Sequence, residues 1–205
     1  MKVYEDILQG TPEWLEVRKL KFTASNASTI LAKGKGLDTL IREMLSEYYS
    51  SGNYPEYAGK FINDNILRGH EFEDRAREIY ELETGNTVKQ VGFIETDEFE
   101  GCSPDGLIGD DGLLEIKNPN DKRFIELVIS DEIDRNYLAQ MQMQMYVSGR
   151  KWCISSNFST PFYLKRIDAD PEYQKALCEA LAEAKEKLKA LKQVLDTKIG
   201  VENGN

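Results

Sequence analysis

The chain has 205 residues, of which 40% are hydrophobic and 30% charged, and this composition excludes a chain that is disordered throughout. No apolar run reaches the roughly 18–20 residues that cross a bilayer, and residues 1–10 lack the apolar centre of a secretory signal. Cys102, Cys153 and Cys178 are odd in number and far apart, which argues against a disulfide framework and against a zinc site. We therefore expect one domain over residues 1–205, in the cytoplasm.

The net charge of −10 comes from the middle of the chain. Residues 61–120 hold five basic and fifteen acidic side chains, whereas Val17–Leu37 and Arg135–Ile167 each hold five basic residues and no acid. A metal-dependent phosphodiesterase needs acids to hold the cation and bases to hold the phosphates. The pattern fits such an enzyme, although charges that segregate by chance on solvated faces explain it equally well.

Apolar periodicity and capping signals predict the elements in chain order. Helices are expected over about residues 11–20, 25–32, 37–48 and 60–83. The period then changes, and strands are expected over about residues 88–95, 102–108 and 113–118, the last two joined by a turn at 109–112. A helix over 133–147, strands over 152–158 and 162–167, and a last helix over 171–198 complete the chain. This order predicts an α+β fold with a central mixed β-sheet flanked by helices.

The last helix carries apolar residues at alternating steps of four and three, namely Leu177, Leu181, Ala184, Leu188, Leu191 and Leu195. Such a seam is typical of a coiled-coil contact between subunits. It is equally typical of a helix that packs on its own domain. Both interpretations of residues 171–198 stay open at this point.

Three charged residues on the predicted hairpin are candidates for chemistry. Asp105 ends one strand and Glu115 begins the return strand, while Lys117 shares a strand face with Glu115. Two carboxylates suit Mg²⁺, which also keeps waters and a substrate phosphate. A lysine beside them can orient the attacking water or neutralise a developing oxyanion. The alternative is a hairpin with a polar face and a single ion pair.

The segments Ser103–Gly106 and Leu114–Lys117 resemble the PD-(D/E)xK nuclease signature. More narrowly, the chain resembles the phage lambda-type exonuclease (YqaJ-like viral recombinase) family. Three further segments fit in the same order: Gln9–Arg18 continuing into Phe22–Ser25, Arg68–Arg77, and Tyr137–Gln142. The resemblance spans about residues 9–158 and implies a PD-(D/E)xK (restriction endonuclease-like) core.

The resemblance implies a role for each matching residue. Asp105, Glu115 and the helix residue Glu73 would hold the metal, Lys117 would be the catalytic lysine, and Gln140 would contact the site or its lysine. The implied cofactor is Mg²⁺, with two ions in the site and Mn²⁺ as a substitute.

A second group of residues matches the pocket that grips a terminal phosphate in that family. Arg18, with Thr23 and Ser25, would bind the 5′-phosphate of the strand being digested, and guanidinium and hydroxyl groups suit that task. Arg123 and His70 are two further candidates for a DNA contact.

The function implied by the resemblance is a Mg²⁺-dependent 5′-to-3′ exonuclease that acts on the ends of linear duplex DNA. It would leave 3′ single-stranded tails for phage-type recombination. A homotrimeric ring and a single-strand annealing partner are implied as well, in a bacterial host cell and encoded by a phage or prophage.

Two alternatives stay open from the sequence. A site-specific or junction endonuclease can use the same catalytic triplet, although such enzymes usually add a recognition module. A non-enzymatic acidic protein that mimics DNA or binds a partner would also explain the acidic centre. Such a mimic would not require Lys117 within the acids.

Overall fold

The computed structural model describes residues 1–50, 64–157 and 162–199, with the backbone alone for residues 64–71. Its helices are α1 Pro12–Arg18, α2 Ala27–Ala32, α3 Gly34–Ser50, α4 Asp64–Thr84, α5 Asp121–Ser130, α6 Arg135–Ser148 and α7 Pro171–Ile199, with a 3₁₀ turn at Ala24–Asn26. Its strands are β1 Lys2–Tyr4, β2 Phe22–Thr23, β3 Val88–Lys89, β4 Phe93–Asp97, β5 Glu100–Cys102, β6 Gly106–Ile108, β7 Gly112–Lys117, β8 Trp152–Asn157 and β9 Tyr163–Asp168.

The strands form two mixed sheets where the sequence predicted one. One sheet has the order β1-β4-β5-β2 and the other the order β3-β6-β7-β8-β9. In the second sheet β6 and β7 are an antiparallel hairpin, and β7 runs parallel to β8 over six residue pairs from Gly112–Trp152 to Lys117–Asn157. The helix α6 makes the crossover between β7 and β8 together with α5, as a parallel connection requires.

Two predicted strands are divided between the sheets. The strand predicted over 88–95 is β3 and the start of β4, and Gly92 lies at the change of sheet. There the backbone passes so close to Ile7 that a Cβ on Gly92 would stand 2.1 Å from its carbonyl oxygen. The strand predicted over 102–108 divides at residues 103–105, between β5 and β6. This second division matters for the site, because it lets neighbouring residues face different cavities.

The helix α5 was missed by the sequence prediction. It begins after Asn120, whose side chain accepts a hydrogen bond from the N–H of Arg123, and it ends at Asp131 in the left-handed conformation. Only Phe124 is buried on this helix. The helix is short but strongly amphipathic, so its periodicity and its Asn-Asp cap were both clues that the prediction overlooked.

The main hydrophobic core lies between the first sheet and the helices α2, α3, α6 and α7. The methionines of α6, at 141, 143 and 145, are all buried in it, and so is the apolar face of α7 up to Leu188. The predicted seam of α7 is therefore in large part a contact with its own domain. Among the described residues no helix is long and apolar enough to cross a membrane.

Candidate active site

Asp105 lies at the point where the chain enters the second sheet, directly before β6. Its N–H donates to the carbonyl of Leu114 at 3.1 Å, which continues the hairpin ladder by one residue. Its Oδ2 accepts the N–H of Ile116 at 2.6 Å. The backbone of β7 thus fixes the Asp105 carboxylate beside the strand that carries the other two candidates.

Glu115 and Lys117 project from the same face of β7, as the strand period predicted. The Glu115 side chain is 4% exposed, and its Oε1 accepts the ammonium of Lys117 at 2.6 Å. Gln140, from α6, joins the pair by donating its Nε2 to Glu115 Oε1 at 2.6 Å and accepting Lys117 Nζ at 2.9 Å with its Oε1. The Lys117 Nζ also lies 4.6 Å from the ring centroid of Tyr137. The structure therefore brings Asp105, Glu115, Lys117 and Gln140 together.

Burial and the closeness of several charged side chains shift the pKa values of Asp105 and Lys117 in this cluster. Burial raises the pKa of Asp105 well above its ordinary value, and the charges of Glu115 and Glu73 raise it further. The N–H of Ile116 and the charge of Lys117 act in the opposite direction. For Lys117, burial lowers the pKa, but the charge and hydrogen bond of Glu115 outweigh it, so the pKa lies above its ordinary value. Lys117 is thus held as an ammonium.

The donor set suits a hard divalent cation. Asp105 and Glu115 offer carboxylate oxygens, and the charges of Glu115 and Glu73 act on the buried Asp105 in addition to its burial, which is the main cause of its raised pKa. A bound cation would balance these charges. Glu73, on α4, is close enough for its charge to act on Asp105. No group of three or more His, Cys, Asp or Glu side chains in a ligating arrangement occurs in the part of the chain that the structure describes.

Arg18 is the centre of a second pocket. It stacks on Trp14, with its guanidinium carbon 4.0 Å from the ring centroid, and donates to Ser103 Oγ at 3.2 Å and to Thr23 Oγ1 at 3.5 Å. These partners are neutral hydroxyls, and no carboxylate pairs with Arg18 among the described residues. Burial lowers the pKa of Arg18 to about 10, so the side chain stays charged at neutral pH. The charge of Glu47 acts on Arg18 from a distance, but a partly buried cation without a carboxylate in direct contact is suited to an anionic ligand.

Hydroxyl groups line this pocket. The Thr23 Oγ1 lies 3.0 Å from Ser25 Oγ, and Ser25 is exposed at the pocket mouth. Ser103 accepts the indole N–H of Trp14 at 2.9 Å as well as the guanidinium of Arg18. The predicted set of Arg18, Thr23 and Ser25 is thus assembled, and the sequence prediction missed that Trp14 and Ser103 belong to it. The position of Ser103, two residues before Asp105, was the signal.

The remaining candidates lie around this centre. Arg123 is an exposed residue of α5 that lines a cavity of about 340 Å³, together with Tyr137 and Asn157. Asn157 pairs with Lys117 in the register of β7 and β8, so this cavity adjoins the catalytic face. The side chain of His70 lies outside the described residues, and its role stays a prediction.

Comparison with known proteins agrees with this geometry. The model of the YqaJ-like viral recombinase domain matches residues 13–151, which include both pockets. The chain belongs to the YqaJ-like viral recombinase family. Among solved structures it is similar to the alkaline exonuclease of Laribacter hongkongensis, with 32% identity, a TM-score of 0.74, and coverage of 91% of this chain and 99% of that one.

Two further comparisons define the fold of this family member. A structure of the same Laribacter exonuclease in complex with dAMP is similar at 31% identity, with a TM-score of 0.74 and the same coverage. A phage-related exonuclease from Haemophilus somnus 129PT, at 16% identity and a TM-score of 0.64 over 88% of this chain and 98% of that one, shares the fold. No match to the curated proteins is found. The predicted α+β fold of the PD-(D/E)xK type is confirmed, and the chain is a nuclease of the phage exonuclease type that acts on DNA.

Proposed function

We propose that this protein is a metal-dependent exonuclease that digests one strand of linear duplex DNA from its 5′ end and leaves a 3′ single-stranded tail. One observation carries the proposal: the Arg18 pocket and the carboxylate cluster lie side by side. Ser103 contacts Arg18 and Asp105 contacts β7, and these two residues are separated only by Pro104. Because successive Cα atoms are about 3.8 Å apart, the Cα atoms of Ser103 and Asp105 are at most about 7.6 Å apart. A terminal phosphate in the first site places the next phosphate near the second.

Each side chain has a defined task in this proposal. Asp105 and Glu115 would hold Mg²⁺, with Glu73 as the third acid near them. The metal supplies a hydroxide and stabilises charge on the phosphate oxygens when it is bound. Lys117, held as an ammonium by Glu115, would orient the attacking water or neutralise the charge that develops on the phosphate. Gln140 bonds to both Lys117 and Glu115 and so fixes the positions of the two side chains relative to each other.

The 5′ polarity is carried over from the family resemblance, and the chemistry of the Arg18 pocket is compatible with it. A guanidinium with hydroxyl groups beside it recognises a terminal phosphate dianion better than a phosphodiester, which carries only one charge. Strand ends that carry a 5′-phosphate would therefore be the preferred substrate. The similarity to the Laribacter protein, which is described as an alkaline exonuclease and was solved in complex with dAMP, supports the exonuclease activity on DNA.

The proposal extends to assembly and partners. A chain with a net charge of −10 is repelled by duplex DNA unless its basic stretches face a common channel. A homotrimeric ring threaded by the DNA would provide that channel, and a single-strand annealing protein would receive the tail. Both are carried over from the family resemblance.

A strand-resolved digestion tests the proposal. A linear duplex is labelled in turn at each of its four strand termini and incubated with the protein in Mg²⁺, in Mn²⁺ or in EDTA. We expect loss of 5′ labels as mononucleotides, survival of 3′ labels until late, and no reaction in EDTA. Cleavage of a covalently closed circular duplex at a rate similar to that of the linear form would instead indicate an endonuclease. Intact linear duplex under all conditions would favour the non-enzymatic alternative.

A further inference from the structure

A second glutamine of α6 contacts the catalytic glutamate. Gln144 lies one helical turn after Gln140, and both side chains point at Glu115. The Nε2 of Gln144 donates to Glu115 Oε2 at 2.6 Å, whereas Gln140 donates to Oε1. Gln144 is fully buried. The two glutamines therefore donate hydrogen bonds to the two oxygens of one carboxylate. Neither the family resemblance nor the sequence pattern indicates a role for Gln144.

These contacts limit what Glu115 can offer to a cation. An ionised carboxylate has about four lone-pair positions, two on each oxygen. Oε1 already accepts from Lys117 and Gln140, and Oε2 accepts from Gln144. One position remains, on Oε2. Glu115 can thus reach a metal ion through a single oxygen. The hydrogen bond from Gln144 fixes where the free lone pair of that oxygen points.

The rest of the Gln144 amide indicates that this contact is not a by-product of packing. Its Oε1 is buried and has no hydrogen-bond partner in the part of the chain that the structure describes. The reverse amide orientation would point this oxygen at the Glu115 carboxylate, which repels it, so the donor contact leaves Oε1 without a partner. A buried acceptor without a partner destabilises the folded protein. An apolar side chain would avoid that cost but would leave Glu115 Oε2 without this donor, so the glutamine is explained by its contact with the carboxylate.

We propose that Gln144 is a positioning residue that makes Glu115 a one-oxygen ligand for the catalytic cation. A neutral amide donor can fix the carboxylate while leaving its charge intact, whereas a second lysine would neutralise the acid that must attract the metal. The inference rests on the proposed metal-dependent function. Mg²⁺ demands near-ideal octahedral geometry, so it is more sensitive than larger ions to the direction of a ligand.

The substitution Gln144→Met tests the inference, because it keeps the length of the side chain and removes the donor. Residues that orient metal ligands typically contribute 10- to 100-fold to metal affinity or activity. We expect the Mg²⁺ concentration for half-maximal digestion to rise about 10- to 100-fold. We also expect a smaller rise in Mn²⁺ and a matching loss of Mn²⁺ affinity in calorimetry without DNA.

Gln142 supplies a matched control on the same helix. It is also buried, but its amide bonds to the Asp168 carbonyl at 2.9 Å and to the Asp170 N–H at 3.0 Å, away from the carboxylates. Gln142→Met is expected to lower the unfolding midpoint and to leave the Mg²⁺ and Mn²⁺ responses unchanged. If Gln144→Met does not fold, Gln144→Asn, whose shorter stem cannot reach Glu115, carries the same expectation.

The outcomes separate the inference from the proposed function. Wild-type protein that binds no Mn²⁺ and digests DNA in EDTA would overturn the proposed function. Wild-type protein that needs the metal, with a Gln144 variant of equal metal affinity, would overturn the inference alone. Equal shifts in the Gln142 and Gln144 variants would also overturn it, because they would show an effect of helix packing.

Discussion

At the scale of single residues, the account depends on Lys117. Its ammonium is bound by Glu115 and Gln140, and the pKa is held above its ordinary value. The lysine lies beside the carboxylates, and in the proposed function its charge acts on the phosphate that the bound cation attracts. A residue with that role is expected to act on the reaction and to contribute little to the affinity for long DNA.

We therefore expect Lys117→Met to abolish digestion while DNA binding is retained. Removing a preorganised charge from an active site costs about 10²–10³-fold or more in turnover. The measurement is digestion of a labelled duplex together with a gel-shift titration in Ca²⁺. Lys151→Met is the matched control. Lys151 lies directly before β8, whereas Lys117 pairs with the last residue of that strand, and Lys151 forms an ion pair with Asp111 on the surface. A Lys117→Met protein with wild-type turnover would contradict the catalytic assignment.

The hydroxyl groups around Arg18 lead to a second prediction for a single residue, with a smaller expected effect. Thr23→Val keeps the shape of the side chain and removes a hydroxyl that Arg18 contacts at 3.5 Å. We expect the preference for 5′-phosphorylated over 5′-hydroxyl ends to fall by about three- to tenfold, the value of a single neutral hydrogen bond. Thr39→Val is the control, because Thr39 bonds only to the backbone of its own helix among the described contacts. An unchanged preference would remove Thr23 from the pocket.

At the scale of elements, the helix α7 is fastened to the first sheet by an ion-pair cluster. The ammonium of Lys185 bonds to Asp97 at 2.6 Å and to the buried Glu100, which also accepts from Thr96. Burial raises the pKa of Asp97, but the hydrogen bond from Lys185 and the bonds from backbone N–H groups outweigh it, so the pKa lies below its ordinary value. The cluster thus couples the position of α7 to the turn between β4 and β5.

Lys185→Met should therefore destabilise the protein and change its acid unfolding. Because Glu100 is left buried without its ammonium, we expect a loss of about 1–3 kcal/mol in the free energy of unfolding at pH 7. A lowered pKa in the folded state stabilises above the ordinary aspartate pKa of about 3.9, and this contribution is lost as the pH falls through the folded value. The free energy of unfolding of the variant should therefore fall less steeply than that of the wild type as the pH is lowered below about 4. Urea titrations between pH 3 and pH 7 measure this decline.

Lys175→Met is the control for this element, since Lys175 is an exposed residue of the same helix. It should change the free energy of unfolding by less than about 0.5 kcal/mol. Equal losses in the two variants would show that Lys185 acts through helix propensity and not through the cluster.

Much of this architecture could be predicted from the sequence, and the failures have physical causes. The face shared by Glu115 and Lys117 follows from the strand period alone, and it is confirmed. The division of the two predicted strands could not be read from periodicity, because Gly92 and Pro104 are compatible with an edge strand as well as with a change of sheet. The contact between Gln144 and Glu115 joins residues 29 positions apart, and no local signal encodes it.

At the scale of the whole molecule, the outward faces of α5 and α7 bear on assembly. Exposed apolar residues remain on both helices, among them Ile125, Ile129, Val194 and Ile199. The proposed ring predicts a trimer mass in light scattering at micromolar concentration and processive digestion of long duplex. A monomer mass with distributive digestion would contradict the ring and leave the chemistry of the site unchanged.

The selection of a 5′-phosphate beside the catalytic centre is the central claim, and Arg18→Ala tests it most directly. Digestion rates are measured on 5′-phosphorylated and 5′-hydroxyl duplexes of the same sequence, with Lys19→Ala as the control because Lys19 pairs with Glu16 outside the pocket. A charge-assisted contact of about 1.5–3 kcal/mol predicts a 10- to 100-fold loss on phosphorylated ends. Little change is expected on hydroxyl ends. Equal losses on the two substrates would contradict the claim.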